Sequence, residues 1–241
     1  MSDFFQLWEG GPYFAQAEHF KLGTDSVLLA DFVRLTGAKR GIDLGCASGI
    51  LALLLLSRSV RLRMTGLEIN PAAADLALEN MEKNALSERS EIIRGDIRDH
   101  RRLFQAGSFD LAVANPPYFA PNSGYHSPDK ARAAARGELQ CDLRDVCAAA
   151  AFLLKTGGTL SLVYRCERMP ELLRTMADFG IEPKRLRFVQ YSAVSAPKLF
   201  LIEGRKGGKP GLKTEAPLLL TDGDGNESEE YKRIYHLNGR P

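Results

Sequence analysis

The sequence Asn115-Pro116-Pro117-Tyr118 sets an amide side chain, two prolines and an aromatic ring directly after the apolar run Phe109–Ala114. Such a run, free of Gly and Pro, predicts a buried strand of a parallel sheet. Two prolines then end it, because neither can donate to a ladder and each restricts the residue before it. The turn lies at the carboxyl end of a strand, where open α/β sheets place their ligands. The amide and the carbonyls can accept hydrogen bonds from a planar amino group while the ring stacks on the plane that carries it. Taken alone, the same residues also fit an ordinary proline-terminated strand with a packed Tyr.

The residues upstream narrow the choice. Asp43-Leu44-Gly45-Cys46-Ala47-Ser48-Gly49 joins a short strand to an apolar helix, and Gly45 and Gly49 permit a tight turn that brings backbone close to a ligand. The pattern is not the dinucleotide fingerprint, since it opens with an acid and its final Gly comes four residues after the first. An acid here suits an ammonium group better than a pyrophosphate. Glu68 ends the next strand, where a carboxylate can take both ribose hydroxyls, and Asp96 follows the third strand, where it could accept from an adenine amine. In this order, at the ends of four successive strands, the groups describe a nucleoside carrying an amino acid, namely S-adenosylmethionine. Cys46 reads as a small turn residue rather than a nucleophile.

These groups need a scaffold, and the alternation of strand and helix patterns from about residue 38 to 204 supplies one. Seven strands are expected near 41–44, 64–69, 91–93, 109–114, 159–164, 186–190 and 198–203. Between them, Ile50–Arg58 is apolar nearly all round and hence a buried helix. Asn70-Pro71 supplies an N-cap and an N1 proline, Asp142 caps a helix through Leu154, and Pro170 opens another. The order is that of a doubly wound, mostly parallel α/β sheet. We expect a single domain over 1–241: an N-terminal extension with the first helix (1–37), a catalytic core (38–205) and a tail (206–241). The extension is rich in aromatics (Phe4, Phe5, Trp8, Tyr13, Phe14, Phe20), the loop Phe119–Pro128 has the composition of a lid, and the tail from about Lys206 is expected to be partly mobile.

The length of 241 residues, with 44% hydrophobic and 26% charged, allows a sizeable core. No apolar run approaches a membrane span, and the acidic, aromatic N-terminus predicts no secretory signal. The four cysteines (Cys46, Cys141, Cys147, Cys166) have no Cys-x-x-Cys spacing, which argues against zinc and a disulfide framework and for a reduced, cytoplasmic protein. Between Lys184 and Lys213 eight basic residues (Lys184, Arg185, Arg187, Lys198, Arg205, Lys206, Lys209, Lys213) face one acid, Glu203, whereas 214–230 hold six acids and no base. The basic band could contact phosphates, or it could be a solvated surface beside an acidic tail.

Asp43–Gly49, Glu68, Asp96 and Asn115–Tyr118 together resemble the successive motifs of class I S-adenosylmethionine-dependent methyltransferases of the amino-group type, a Rossmann-like fold. Phe20–Leu29, Arg187-Phe188-Val189 and Tyr231–Tyr235 extend the resemblance, over nearly the whole chain, to the bacterial valine-tRNA adenine-N6 methyltransferases, which modify the adenine just 3′ of the anticodon. The resemblance implies S-adenosylmethionine as cofactor and S-adenosylhomocysteine as product, held by Thr24, Asp43, Gly45, Cys46, Gly49, Glu68, Ile69, Asp96, Ile97 and Asn115. It implies catalysis by Asn115, Pro116, Pro117 and Tyr118, and tRNA as partner, with Lys21, Lys184, Arg185, Arg187 and Lys198 the candidates for RNA contact. No metal and no membrane are expected, and the chain is expected to be a monomer. One departure is Ala47, where many relatives carry Gly; a Cβ at positive φ costs of order 1 kcal/mol. Other planar amino groups stay open as substrates, such as guanine N2 or a protein glutamine amide, as does a catalytically silent RNA adaptor that binds the cofactor.

Overall fold

Residues that alternate between apolar runs and capped amphipathic segments fold here into one twisted sheet with helices on both faces. A computed structural model describes residues 3–16, 22–116 and 142–237. After a small hairpin, β1 (Phe5–Gln6) with β2 (Tyr13–Phe14), the main strands are β3 (Arg40–Leu44), β4 (Arg63–Glu68), β5 (Ser90–Arg94), β6 (Phe109–Ala114), β7 (Leu154–Arg165), β8 (Ile181–Gln190) and β9 (Leu199–Lys206). Two short strands, β10 (Lys213–Thr214) and β11 (Leu218–Leu219), each pair with β8, making nine strands rather than the seven expected. The order is β10-β8-β9-β7-β6-β3-β4-β5, and only the pairs made by β9 are antiparallel. The chain runs outward from β3 through β4 to β5, then returns to β6 on the other side of β3. That reversal opens a crevice between the carboxyl ends of β3 and β6.

The helices among the described residues are α1 (Thr24–Phe32), α2 (Ile50–Arg58), α3 (Pro71–Lys83), the single turn α4 (His100–Leu103), α5 (Leu143–Leu153), α6 (Met169–Asp178) and α7 (Glu229–Ile234). One core lies between the sheet and α1–α2, where Ile50 to Leu56 are all buried. The other lies beneath α5 and α6. Each start has a local cause. The Asn70 side chain accepts from Ala73 N–H ahead of Pro71, and Asp142 forms a capping box with Asp145. Arg58 donates to the carbonyls of Ala30 and Val33 and so satisfies the C-terminal end of α1.

The strands near the tail differ from their sequence reading. β8 begins at Ile181, five residues before the apolar stretch that marked it, and carries Pro183. Proline is tolerated because the β8–β9 register shifts between Pro183 and Arg185, and β10 joins the other edge only from Arg185 onward. The tail, expected to be partly mobile, has defined structure through residue 237, with β10, β11 and α7 laid along β8.

That packing also resolves the charge pattern. Arg185, expected to reach RNA, is 7% exposed, pairs with Glu203 (3.1 Å) and Glu215 (3.5 Å), donates to the Phe32 carbonyl and lies over the Phe32 ring. Arg187 binds both carboxylate oxygens of Glu230 (2.8 and 2.6 Å) and the Ala216 carbonyl. Arg185 and Arg187 are thus neutralised by Glu203 of β9 and by Glu215 and Glu230 of the acidic tail, so neither arginine presents a free charge to phosphate.

Arg185→Glu would set three carboxylates together in a dry site. Breaking a buried pair from one side costs about 3–5 kcal/mol, and reversal more. We expect a large loss of stability by urea unfolding; a wild-type midpoint would show that the pair contributes nothing to the fold.

Candidate active site

The turn after β3 is built from backbone that few residues adopt. Gly45 and Gly49 have φ of 78° and 82°, and Ala47 between them has φ of 46°. The strain expected of a Cβ at 47 is therefore present, and hydrogen bonds hold it in place. The Leu67 carbonyl accepts from the N–H groups of Gly45 (2.9 Å) and Cys46 (3.1 Å), and Glu68 Oε2 accepts from Ala47 N–H (2.8 Å). The other Glu68 oxygen accepts from Asn70 N–H at 2.8 Å. Glu68 thus braces the turn with one lone pair on each oxygen and keeps further capacity on both for ribose hydroxyls. Replacing it by Ala would remove the brace together with the ribose acceptor.

Asp43 is the opposite case. Its side chain is 1% exposed, and neither oxygen has a hydrogen-bond partner among the described residues. Burial pushes its pKa up to about 8; the nearby Glu68 charge adds to this, and the Ala52 N–H opposes it without completing a bond. The carboxylate borders a cavity of about 260 Å³ lined also by Phe14, Ser26, Gly45, Ser48 and Asn115. A second cavity of about 100 Å³ is lined by Glu68, Ile69, Asp96, Ile97, Pro116 and Val146, and again by Gly45 and Asn115. The two lobes meet at the crevice between β3 and β6. A Cβ built on Gly45 would touch no protein atom within 4 Å, so its absence leaves room for a ligand.

This arrangement fits an amino-acid nucleoside. A buried carboxylate without a partner would receive an ammonium group in the first lobe. The apolar walls of Ile69, Ile97 and Val146 would hold a base in the second, with Glu68 between them for the sugar. Asp96 differs in detail from its sequence reading: both its oxygens accept from Arg98, whose hydrogen bonds hold the carboxyl below its ordinary range. An adenine amine would share that carboxylate with Arg98. Cys46 is buried, and burial with the Asp43 and Glu68 charges raises its thiol pKa, which suits a packing residue. Thr24 does not line either lobe; it lies beside Tyr235, whose pKa burial raises to about 12.

Three residues that were not among the expected site residues shape the site. Ser26 is 7% exposed, and its Oγ lies 3.0 Å from Asn115 Nδ2. Phe14, fully buried, closes the first lobe. Asn80 of α3 is 0% exposed: its Oδ1 accepts from Ala15 N–H (2.7 Å), and its Nδ2 donates to the carbonyls of Ala15 and Ser48 (2.9 Å each). Asn84, one turn on, does the same for Tyr13 (2.8 and 2.6 Å). Two helix side chains thus imitate a neighbouring strand and hold the N-terminal arm over the cavity. The i, i+4 spacing Asn80/Asn84 was the available signal. Pro117, Tyr118, Lys21 and the loop Phe119–Pro128 lie outside the described residues.

The basic residues proposed for RNA are not one patch. Lys184 sits near the start of β8, where its ammonium donates to the Lys209 carbonyl at 2.8 Å. Lys198 precedes β9, beside the carboxyl end of β7, and is exposed. They occupy opposite ends of the β8–β9 pair, and only Lys198 is on the rim of the crevice. Among the described residues no group of three or more His, Cys, Asp or Glu could hold a metal, and no helix is long and apolar enough to cross a membrane.

The sheet order with its crevice defines the fold of class I methyltransferases. A crystal structure of a predicted O-methyltransferase from Agrobacterium tumefaciens superimposes with a TM-score of 0.72 at 20% identity, over 88% of this chain and 96% of that one. The model of the methyltransferase small domain matches residues 14–179. In sequence the chain is 35% identical to the tRNA1(Val) (adenine(37)-N6)-methyltransferase of Tolumonas auensis, over 88% of this chain and 86% of that protein. It is 34% identical to the protein of that name from Aeromonas hydrophila, over 89% and 88%. The chain belongs to the methyltransferase small domain family and, within it, to the tRNA1(Val) (adenine(37)-N6)-methyltransferases.

The Asp43 environment has a consequence for stability. A folded pKa of about 8 against an ordinary 3.8 means the native state keeps a proton that the unfolded chain has released between those values. Stability of the ligand-free protein should therefore fall as pH rises through that window, by up to about 1.4 kcal/mol per pH unit from this group. Asp43→Asn, which cannot titrate, should lack that part of the slope in urea unfolding at a series of pH values. Equal slopes would show that Asp43 ionises normally in the fold.

Proposed function

We propose that this enzyme transfers a methyl group from S-adenosylmethionine to N6 of the adenine just 3′ of the anticodon in valine tRNA. The observation that carries the reading is the meeting of the two lobes at Asn115, the residue that ends β6. When bound, S-adenosylmethionine supplies an electrophilic methyl on a sulfonium. The chain's own part is position and electrostatics. Asp43 binds the ammonium, Glu68 the ribose, and Ile69 and Ile97 flank the adenine of the cofactor. An exocyclic adenine amine is a poor nucleophile because its lone pair is delocalised into the ring. The Asn115 amide oxygen and the Pro116 carbonyl accept its two hydrogens, draw the nitrogen toward a pyramidal shape and localise the pair. Tyr118 stacks on the extruded base, worth roughly 1–3 kcal/mol by the general scale of such interactions. A base in an anticodon loop is already accessible, so little unpairing energy is needed.

RNA contact belongs on the rim rather than along β8. The loop between β8 and β9 carries exposed Tyr191 and Lys198 and is fixed by bonds from Ser192 N–H to Ser195 Oγ (2.8 Å) and Thr221 N–H to Tyr191 O (2.8 Å). By sheet order it stands two to three strands from Asn115, about 10–14 Å at ordinary strand spacing. That distance suits nucleotides flanking the target. The protein acts as a monomer in the cytoplasm, where its substrate is.

Labelled methyl transfer to bulk tRNA, followed by nucleoside analysis, tests the reading. N6-methyladenosine is the expected product, and Asn115→Ala should lower its formation roughly 100-fold or more while the protein stays folded. Lys198→Glu should weaken tRNA binding and reduce the slope of log affinity against log salt by about 0.7 to 0.9 for each phosphate that the side chain neutralises. Label in another nucleoside or in a protein glutamine would transfer the site to a different amino group.

A further inference from the structure

We propose that Ser26 is a positioning residue for Asn115, taking the amide hydrogen of Nδ2 so that Oδ1 faces the substrate amine. The proposal rests on the assignment of Asn115 as the acceptor of that amine. An Asn side chain presents an oxygen and an NH2 group of nearly equal size, and only one of its two flips is productive. The other would set the amide's hydrogens against those of the amine. The productive flip sends Nδ2 into the wall of the crevice, where it needs an acceptor. Ser26 Oγ stands there, 3.0 Å away on a residue 89 positions earlier in the chain.

The hydroxyl is well fixed. Ser26 is the third residue of α1 and is 7% exposed. That helix is tied to the C-terminal segment through Asp31 with Arg233, at 3.0 Å from each carboxylate oxygen. Arg58 of α2 caps its last carbonyls. Both Ser26 and Asn115 border the lobe that holds Asp43. The amide that meets the substrate is therefore set by the same helix that lines the cofactor cavity.

Three variants test this: Ser26→Ala, Ser26→Thr and Ser26→Ala combined with Asn115→Ala. The side-chain amide signal of Asn115 in the free protein, assigned by its loss in Asn115→Ala, should exchange its hydrogens faster in Ser26→Ala and regain protection in Ser26→Thr. Turnover in Ser26→Ala should fall about five- to thirty-fold, the scale of one hydrogen bond, with KM for S-adenosylmethionine within about twofold of wild type by the same reckoning. The double variant should be no slower than Asn115→Ala alone. Unchanged amide exchange, losses that multiply, or a raised cofactor KM at full turnover would each overturn the proposal. A wild-type enzyme inactive on tRNA would instead remove the functional reading, and the exchange experiment would still decide whether Ser26 holds the amide.

Discussion

A buried carboxylate with no partner, that of Asp43, is the constraint around which the rest of the site is arranged. It lies on β3, the strand from which the chain winds both ways, and so at the one place where the sheet opens a crevice. A group of this kind is costly to keep charged without a counter-charge, and the described residues supply none: the ionisable neighbour that acts on it most is another acid, Glu68. The two acids divide the work. Glu68 is satisfied by backbone N–H groups and holds the glycine turn in its left-handed shape. Asp43 is left without a partner among the described residues, an environment that suits a cation.

The polar groups that surround this carboxylate are held from both termini of the chain. Asn80 grips Ala15 of the N-terminal arm and, with the same side chain, the Ser48 carbonyl of the glycine turn. Trp8 of the arm stacks on His236 at 4.0 Å, and Arg233 nearby pairs with Asp31 of α1. The N-terminal arm thus walls the cavity through Phe14, while the C-terminal segment lines neither lobe and instead packs against that arm and α1.

What could be read from the sequence was whatever depends on local order. Strand ends marked by Asp43, Glu68, Asp96 and Asn115 follow from period and punctuation, and the structure puts Asp43, Glu68 and Asp96 around the two lobes that Asn115 joins. What could not be read depends on partners far apart in the chain. Ser26 looks like any small residue of a helix until β6 brings Asn115 beside it. Arg185 and Arg187 look like surface charge because Glu203 faces Arg185 only when β8 pairs with β9, and Glu215 and Glu230 arrive only when the tail folds back. Charge counted along a sequence does not say which side of a strand carries it, and here the inward side carries Arg185. Strand starts were missed where glycine or proline lies inside a strand, as at Gly157, Gly158 and Pro183, because register shifts in the ladder accommodate them.

The central claim is that Asp43 waits in the free protein, largely protonated at neutral pH, for the ammonium of the cofactor. Carbon-13 NMR titration of the Asp43 carboxyl, with and without saturating S-adenosylhomocysteine, tests it directly. The account predicts a midpoint near pH 8 in the free protein and a fall well below neutrality in the complex, since an opposite charge at close range favours the ionised form. A free-protein midpoint in the ordinary carboxylate range, or one that the ligand leaves unmoved, would contradict it.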